Sequence, residues 1–208
     1  SGFVATCKAG MLSPTARCRT FSADADGYAR SEGCGAIVLQ RADLDAIDAA
    51  RIETPCYGII KATTVNQDGR SASLTAPNGM AQQAMHHRAL GLAGIEPSEL
   101  SVIEAHGTGT ALGDPIEVGA LKAVYGDGRD PSAPPVVLGA VKSNIGHTET
   151  AAGMAGLIKL VMALEHRHVP GNLHFSELNP ELDLDGFDVV LPGPGGEQLP
   201  GSSSGRFI

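Results

Sequence analysis

Val136-Val-Leu-Gly-Ala-Val141 restricts the fold more than any other stretch of this chain, because it contains no polar side chain. A strand with one face in water alternates apolar and polar residues, whereas a strand apolar throughout must be covered on both faces. The segment from Thr148 to about His166 follows, and its middle reads Ala151-Ala-Gly-Met-Ala-Gly-Leu-Ile-Lys-Leu-Val-Met-Ala-Leu164. That is a helix apolar nearly all round, expected to be buried, with small residues that allow close packing on a sheet. A buried strand feeding a covering helix predicts a layered α/β architecture.

The remaining segments fit that plan. Residues 1–33 read as ordered loop, since they keep Phe3, Phe21 and Tyr28. Residues 34–40 and 56–65 are apolar or β-branched and predict strands, the second closed by the turn residues Asn66-Gln-Asp-Gly69. Residues 42–51 have helical spacing, and Asn78 is placed to cap a helix running to Gly91. Residues 97–100 predict a turn and 101–105 a strand. Pro115 suits the first turn of a helix to about Val124, residues 125–135 are loop, and 187–191 form a last strand before a turn-rich end.

Composition excludes several classes. The chain has 208 residues, 42% of them hydrophobic and 18% charged, enough for a sizeable core and too few charges for disorder. Its net charge of −8 argues against a nucleic-acid partner, which needs a basic surface. No run reaches the ~20 apolar residues of a membrane span, so no membrane is expected. The four cysteines form no CxxC pair, which speaks against a zinc ribbon and for free thiols in a cytoplasmic setting.

Two histidines stand where apolar strands give way to glycine-bearing turns, in Glu104-Ala-His-Gly-Thr-Gly-Thr110 and in Lys142-Ser-Asn-Ile-Gly-His147. Two neutral imidazoles beside a lysine suit chemistry on a carbonyl, where they donate hydrogen bonds to a developing oxyanion. Gly107 and Gly109 are expected to clear space for a ligand, into which Thr108 and Thr110 put hydroxyls. His147 precedes a helix, whose N-terminal field should keep it neutral. Lys142 follows a buried strand and needs an acidic partner, Glu149 or Glu104. Its expected role is electrostatic organisation of the site. Asp114 reads as a helix cap or loop staple, and Glu117 is a further acidic neighbour.

These blocks, with Ala25-Asp-Gly-Tyr-Ala-Arg-Ser-Glu-Gly-Cys-Gly35, Asn66-Gln-Asp-Gly-Arg70, Leu74-Thr-Ala-Pro-Asn-Gly79 and Asn172-Leu-His-Phe175, resemble the β-ketoacyl synthase (ketosynthase) family in the modular polyketide synthase style. The resemblance implies a thiolase-like αβαβα sandwich, present in part. Residues 1–50 would end its N-terminal half, and residues 51–208 would form an incomplete C-terminal half. It implies decarboxylative Claisen condensation of an acyl thioester with a malonyl-type extender on acyl carrier protein. His106, His147 and Lys142 would be catalytic, Thr108 and Thr110 would contact the phosphopantetheine arm, and Glu149, Asp114 and Glu104 would stand behind them. No cofactor is bound directly and no metal is expected. The partners implied are acyl carrier protein, the missing N-terminal half and, when complete, a second copy.

The chain departs from the family in lacking the small-residue motif of the nucleophilic cysteine; Cys34 matches a non-catalytic position, and Ser22 stands where Asp is expected. A fragment unable to complete condensation by itself is therefore expected, with an exposed sheet face. The alternative is a non-condensing ketosynthase-like module that decarboxylates, sets chain length or acts as a scaffold. Two other readings fit less well. Gly107-Thr-Gly-Thr-Ala-Leu-Gly113 has its third glycine one residue late for a dinucleotide loop, and the other histidines have no ligand spacing for a metal.

Overall fold

The computed structural model describes residues 2–41, 56–71, 73 and 76–199. A three-stranded parallel sheet lies at its centre, with strand order β1 (Val102–Glu104), β2 (Val136–Gly139), β4 (Val189–Val190). Helix α2 (Gly79–Ala93) precedes β1, α3 (Gly113–Leu121) links β1 to β2, and the one-turn α4 (Lys142–Ile145) and α5 (Ala152–His166) follow β2. A short helix α1 (Gly2–Lys8) opens the chain, where the sequence predicts loop. A small antiparallel pair, β3 (His168–Val169) with β5 (Glu197–Gln198), draws the turn-rich end back onto the molecule.

All four residues of β2 are buried, and its period-two alternation explains why. Leu138 faces the α3 side and joins Phe21, Val118, Leu121, Val124 and Phe187 in the larger core. Val137 faces the other way, against Ala163 of α5, Val169 and Leu199. The apolar run is therefore covered on both faces, as its composition requires. At the end of α3 a single π turn, Lys122–Gly126, brings Val124 and Tyr125 into the core. The Tyr125 hydroxyl meets Nδ1 of His86 on α2 at 3.0 Å. Asn78 caps α2 by accepting the N–H groups of Met80 and Ala81, and Gly94 ends the helix at φ 64°.

Three expectations change. Residues 34–40 and 56–65 form no strand in this structure, and Val38, Leu39, Tyr57 and Val65 are exposed. A strand exists only where a neighbour offers N–H and C=O groups, and none of the described residues offers them here. Helix α5 buries one stripe, Ala152, Gly156, Lys159 and Ala163, rather than its whole circumference. Between the helix and residues 32–35 lies a cavity of about 340 Å³ lined partly by Cys34, Ala155, Ile158 and Lys159. Helix α2 has no fully buried residue, and Met80 is exposed. The helix expected at 42–51 lies outside the described residues.

Candidate functional site

The site forms at the C-terminal ends of β1 and β2, where ligand sites of parallel α/β sheets are commonly found. His106 lies just beyond β1, and its loop is held by two carboxylates from α3. Glu117 accepts the backbone N–H groups of His106 at 2.6 Å and Gly107 at 2.9 Å. Asp114 accepts those of Gly109 at 3.0 Å and Phe21 at 2.9 Å. Positions three apart on a helix share a face, so one turn of α3 grips both sides of the loop. Burial raises the pKa of both carboxyls above their usual range, against the lowering effect of those N–H groups. Asp114 is thus the staple expected of it, and Glu117 has a larger part than the sequence suggests.

The loop glycines serve packing rather than ligand space. A Cβ on Gly107, at φ +47°, would lie 2.6 Å from Cβ of Ala140 and 2.7 Å from Cγ2 of Thr20. A Cβ on Gly109, at φ +73°, would lie 2.9 Å from the backbone nitrogen of Arg19. The loop sits directly on residues 19–20, and Thr20 donates its hydroxyl to the Gly107 carbonyl at 2.7 Å. Thr108 and Thr110 are half-buried with their hydroxyls 3.1 Å apart, and Thr110 also accepts the N–H of Gly113 at 3.1 Å.

Lys142 is almost fully buried at the start of α4. Its ammonium donates to the His106 carbonyl at 2.5 Å and lies 3.4 Å from Nδ1 of the same residue. Neither expected ion pair forms. Glu149 pairs with Arg30 at 2.7 Å, and Glu104 pairs with Lys159 at 2.8 Å. Burial lowers the Lys142 pKa, while the negative charges of Glu117 and Glu104 push it back up.

His147 is anchored from residues 28–31. Its N–H donates to Ala29 at 2.7 Å, its carbonyl accepts from Ser31 at 3.0 Å, and the Tyr28 ring packs edge-on at 4.9 Å between centroids. Nδ1 of His147 accepts the backbone N–H of Glu149 at 3.0 Å. The His106 and His147 rings stand 5.5 Å apart between centroids and nearly perpendicular, at 88°. Desolvation lowers both pKa values, with the nearby Lys142 charge adding to the effect, and takes His106 to about 4. Both rings are therefore neutral near pH 7, through desolvation of the ring nitrogens and the Lys142 charge rather than a helix field. His106 as a whole keeps an exposed edge. With an N–H donor facing each Nδ1, each ring carries its proton on Nε2 and presents it as a donor.

Sequence reasoning places Tyr28 and Arg30 in a family-like block but misses their position beside His147, more than a hundred positions further along the chain. Ser22, where the family pattern has Asp, donates to Asp24 at 2.6 Å and meets the Ser176 hydroxyl at 3.1 Å, tying the first loop to residues after the second histidine. Cys18 is buried, with its sulfur accepting the Ala29 N–H at 3.2 Å and its pKa raised by burial; Cys7, Cys34 and Cys56 are exposed. No group of three or more His, Cys, Asp or Glu among the described residues is arranged to hold a metal ion. No described helix is long and apolar enough to cross a membrane.

Residues 57–176 match the family described as Beta-ketoacyl synthase, C-terminal domain, and residues 1–44 match Beta-ketoacyl synthase, N-terminal domain. The mycoketide-CoA synthase of Mycobacterium tuberculosis is 49% identical over 180 residues, 86% of this chain and 4% of that protein. Erythronolide synthase EryA3 of Saccharopolyspora erythraea is 50% identical over 177 residues, 85% of this chain and 5% of that one. The chain spans about a tenth or less of the length of the curated relatives it matches. Among solved structures, the ketosynthase from module 6 of the bacillaene synthase from Bacillus subtilis 168 superposes with a TM-score of 0.87 at 35% identity, covering 98% of this chain and 35% of that one. The Streptomyces ketosynthase domain OzmH KS7 gives 0.87 at 36% identity, covering all of this chain and 35% of that one.

Proposed function

Because this chain belongs to the β-ketoacyl synthase family and shares the thiolase-like fold of polyketide synthase ketosynthases, we propose that it supplies the two-histidine half of a decarboxylative condensing site. The substrate is a malonyl-type thioester on the phosphopantetheine arm of an acyl carrier protein, and the arm passes Thr108 and Thr110. His106 and His147 donate their Nε2–H groups to the thioester carbonyl oxygen. Negative charge gathers on that oxygen as the carboxylate leaves as carbon dioxide, and the resulting enolate carbon attacks an acyl thioester to form the new carbon–carbon bond. The acyl thioester's carbon–sulfur bond breaks, and its sulfur departs as a thiolate that carries the negative charge away. Lys142 holds the His106 backbone and faces Nδ1, so it keeps that ring neutral and oriented; we treat it as a positioning group.

The observation that carries this reading is the pair of neutral imidazoles with an N–H donor at each Nδ1. Such donors lower the barrier where charge develops, each contributing about 10²–10³ in rate when preorganised. We assign the acyl-carrying thiol to none of the four cysteines, since Cys18 is buried and bound to backbone while no described contact joins Cys7, Cys34 or Cys56 to either histidine. We further infer that residues 34–40 and 56–65 are strands to be covered by the rest of a ketosynthase, with the junction of its halves near residue 50. Their exposed apolar side chains support this, as does the greater length of the solved ketosynthases.

The test is release of carbon dioxide from a malonyl thioester by the full-length protein after its thiols are alkylated. Release is expected, because decarboxylation needs the histidines and not the acyl-carrying thiol. No release from a folded protein would contradict the roles given to His106 and His147.

A further inference from the structure

Beneath the site lies a buried ion pair that the chemistry above does not use. Oε2 of Glu104 is 2.8 Å from Nζ of Lys159, with the two side chains 5% and 8% exposed. Apart from each other, neither atom has a hydrogen-bonding partner among the described residues. The second carboxylate oxygen, Oε1, accepts the backbone N–H of Val141. Two glycines make room for the pair. A Cβ on Gly139 would lie 3.0 Å from Lys159 Nζ, and one on Gly156 would lie 3.2 Å from Glu104 Cγ.

We infer that Glu104 and Lys159 are positioning residues whose ion pair sets the spacing between the strand that leads to His106 and the helix that follows His147. Glu104 stands two residues before His106 on β1, and Lys159 lies on α5, which begins shortly after His147. Val141, held by the same carboxylate, immediately precedes Lys142, whose ammonium donates to the His106 carbonyl. The Glu104 carboxylate thereby joins its own strand, which leads to His106, to the backbone before Lys142 and, through the Lys159 side chain, to the helix that follows His147. This inference rests on the functional reading above and extends it to residues that touch no substrate.

Stability alone gives little reason for such a pair. Desolvating two charges costs about as much as their attraction returns, and an apolar pair of similar size generally serves as well. What an ion pair adds is a distance. Two apolar side chains can slide past each other at small cost, whereas a buried carboxylate and ammonium lose their compensation once they separate. A shift of about 1 Å at reacting groups can cost about 100-fold in rate, so a fixed spacing matters to catalysis.

The test uses the full-length protein and the variants Glu104→Gln, Lys159→Met and their double combination. Three quantities are read: the melting temperature, kcat and KM for carbon dioxide release, and the histidine ring-nitrogen NMR resonances. Each single change leaves a buried group uncompensated and should lower the melting temperature. Glutamine retains an oxygen for the Val141 N–H, so the double variant should melt near the parent. It should still turn over about 100-fold more slowly at unchanged KM, with the His106 Nδ1 resonance displaced. A double variant with parental kcat and parental resonances would overturn the inference. If it melts low, the resonances of the folded variant at lower temperature decide in the same way. A parent that releases no carbon dioxide would count against the proposed function alone, because the nitrogen resonances report the spacing without turnover.

Discussion

The backbone N–H of Glu149 points at Nδ1 of His147 from 3.0 Å, while the Glu149 carboxylate turns away to Arg30 at 2.7 Å. One residue thus fixes the tautomer of a site histidine through its main chain and anchors the preceding loop through its side chain. The Lys142 ammonium faces Nδ1 of His106 at 3.4 Å. The two rings reach the same state by different means, and several consequences can be measured.

Replacing Glu117 by Gln should loosen the first histidine loop. The amide oxygen can take one of the two N–H groups now held at 2.6 and 2.9 Å, and the amide nitrogen then faces the other. An unpaired buried N–H costs about 1–3 kcal/mol. We expect a loss of that size in denaturant unfolding, with carbon dioxide release slowed about 10-fold or more as His106 shifts. Parental stability and rate together would show that the clamp is dispensable.

Gly107→Ala should be among the most damaging single changes in the loop. The new methyl would need the space of Ala140 and Thr20, at a φ of +47° that side chains rarely adopt. Backbone strain of about 1–3 kcal/mol adds to the clash. A melting temperature within experimental error of the parent would contradict the packing described for this loop.

The pH dependence follows from the two lowered histidines. The folded His106 titrates at about 4, against 6.5 for its ordinary value. Between those values the unfolded chain takes up a proton that the folded chain refuses. Its contribution to stability is therefore lost as pH falls from about 6.5 towards about 4, and changes little below that. His106→Gln should flatten that slope in denaturant melts taken across the window. Carbon dioxide release should likewise persist below pH 6.5, because the His106 ring stays neutral down to about 4 and the His147 pKa is lowered as well. An activity inflection near 6.5 would contradict the low His106 value.

Much of this arrangement is legible in the sequence, and particular residues show where legibility stops. The burial of β2 follows from its composition, the Asn78 cap from its side chain, and the His106 turn from a strand that ends in a glycine-bearing loop. The one-turn α4 that separates β2 from His147 is not read from the sequence. Asp114 can be read as a staple of its own loop because Gly109 is local, whereas its bond to Phe21 joins distant parts of the chain and cannot be read. The partner of Lys142 cannot be read, since Glu104, Glu149 and Lys159 are far apart in the chain and only the fold decides which charges meet. Arg30 and Tyr28 beside His147 escape for the same reason. The segments 34–40 and 56–65 have the pattern of strands, yet a strand also needs a neighbour, and pattern alone does not supply one.

The most direct measurement is the rate of carbon dioxide release from a malonyl thioester by His106→Ala, His147→Ala and the double variant, each in the thiol-alkylated full-length protein. If both rings donate to one developing oxyanion, each single change should slow release about 10²–10³-fold, and the double should be little slower than the worse single, because groups acting as a unit are not additive. Release at the parental rate from either folded single variant would contradict a shared role for the two histidines.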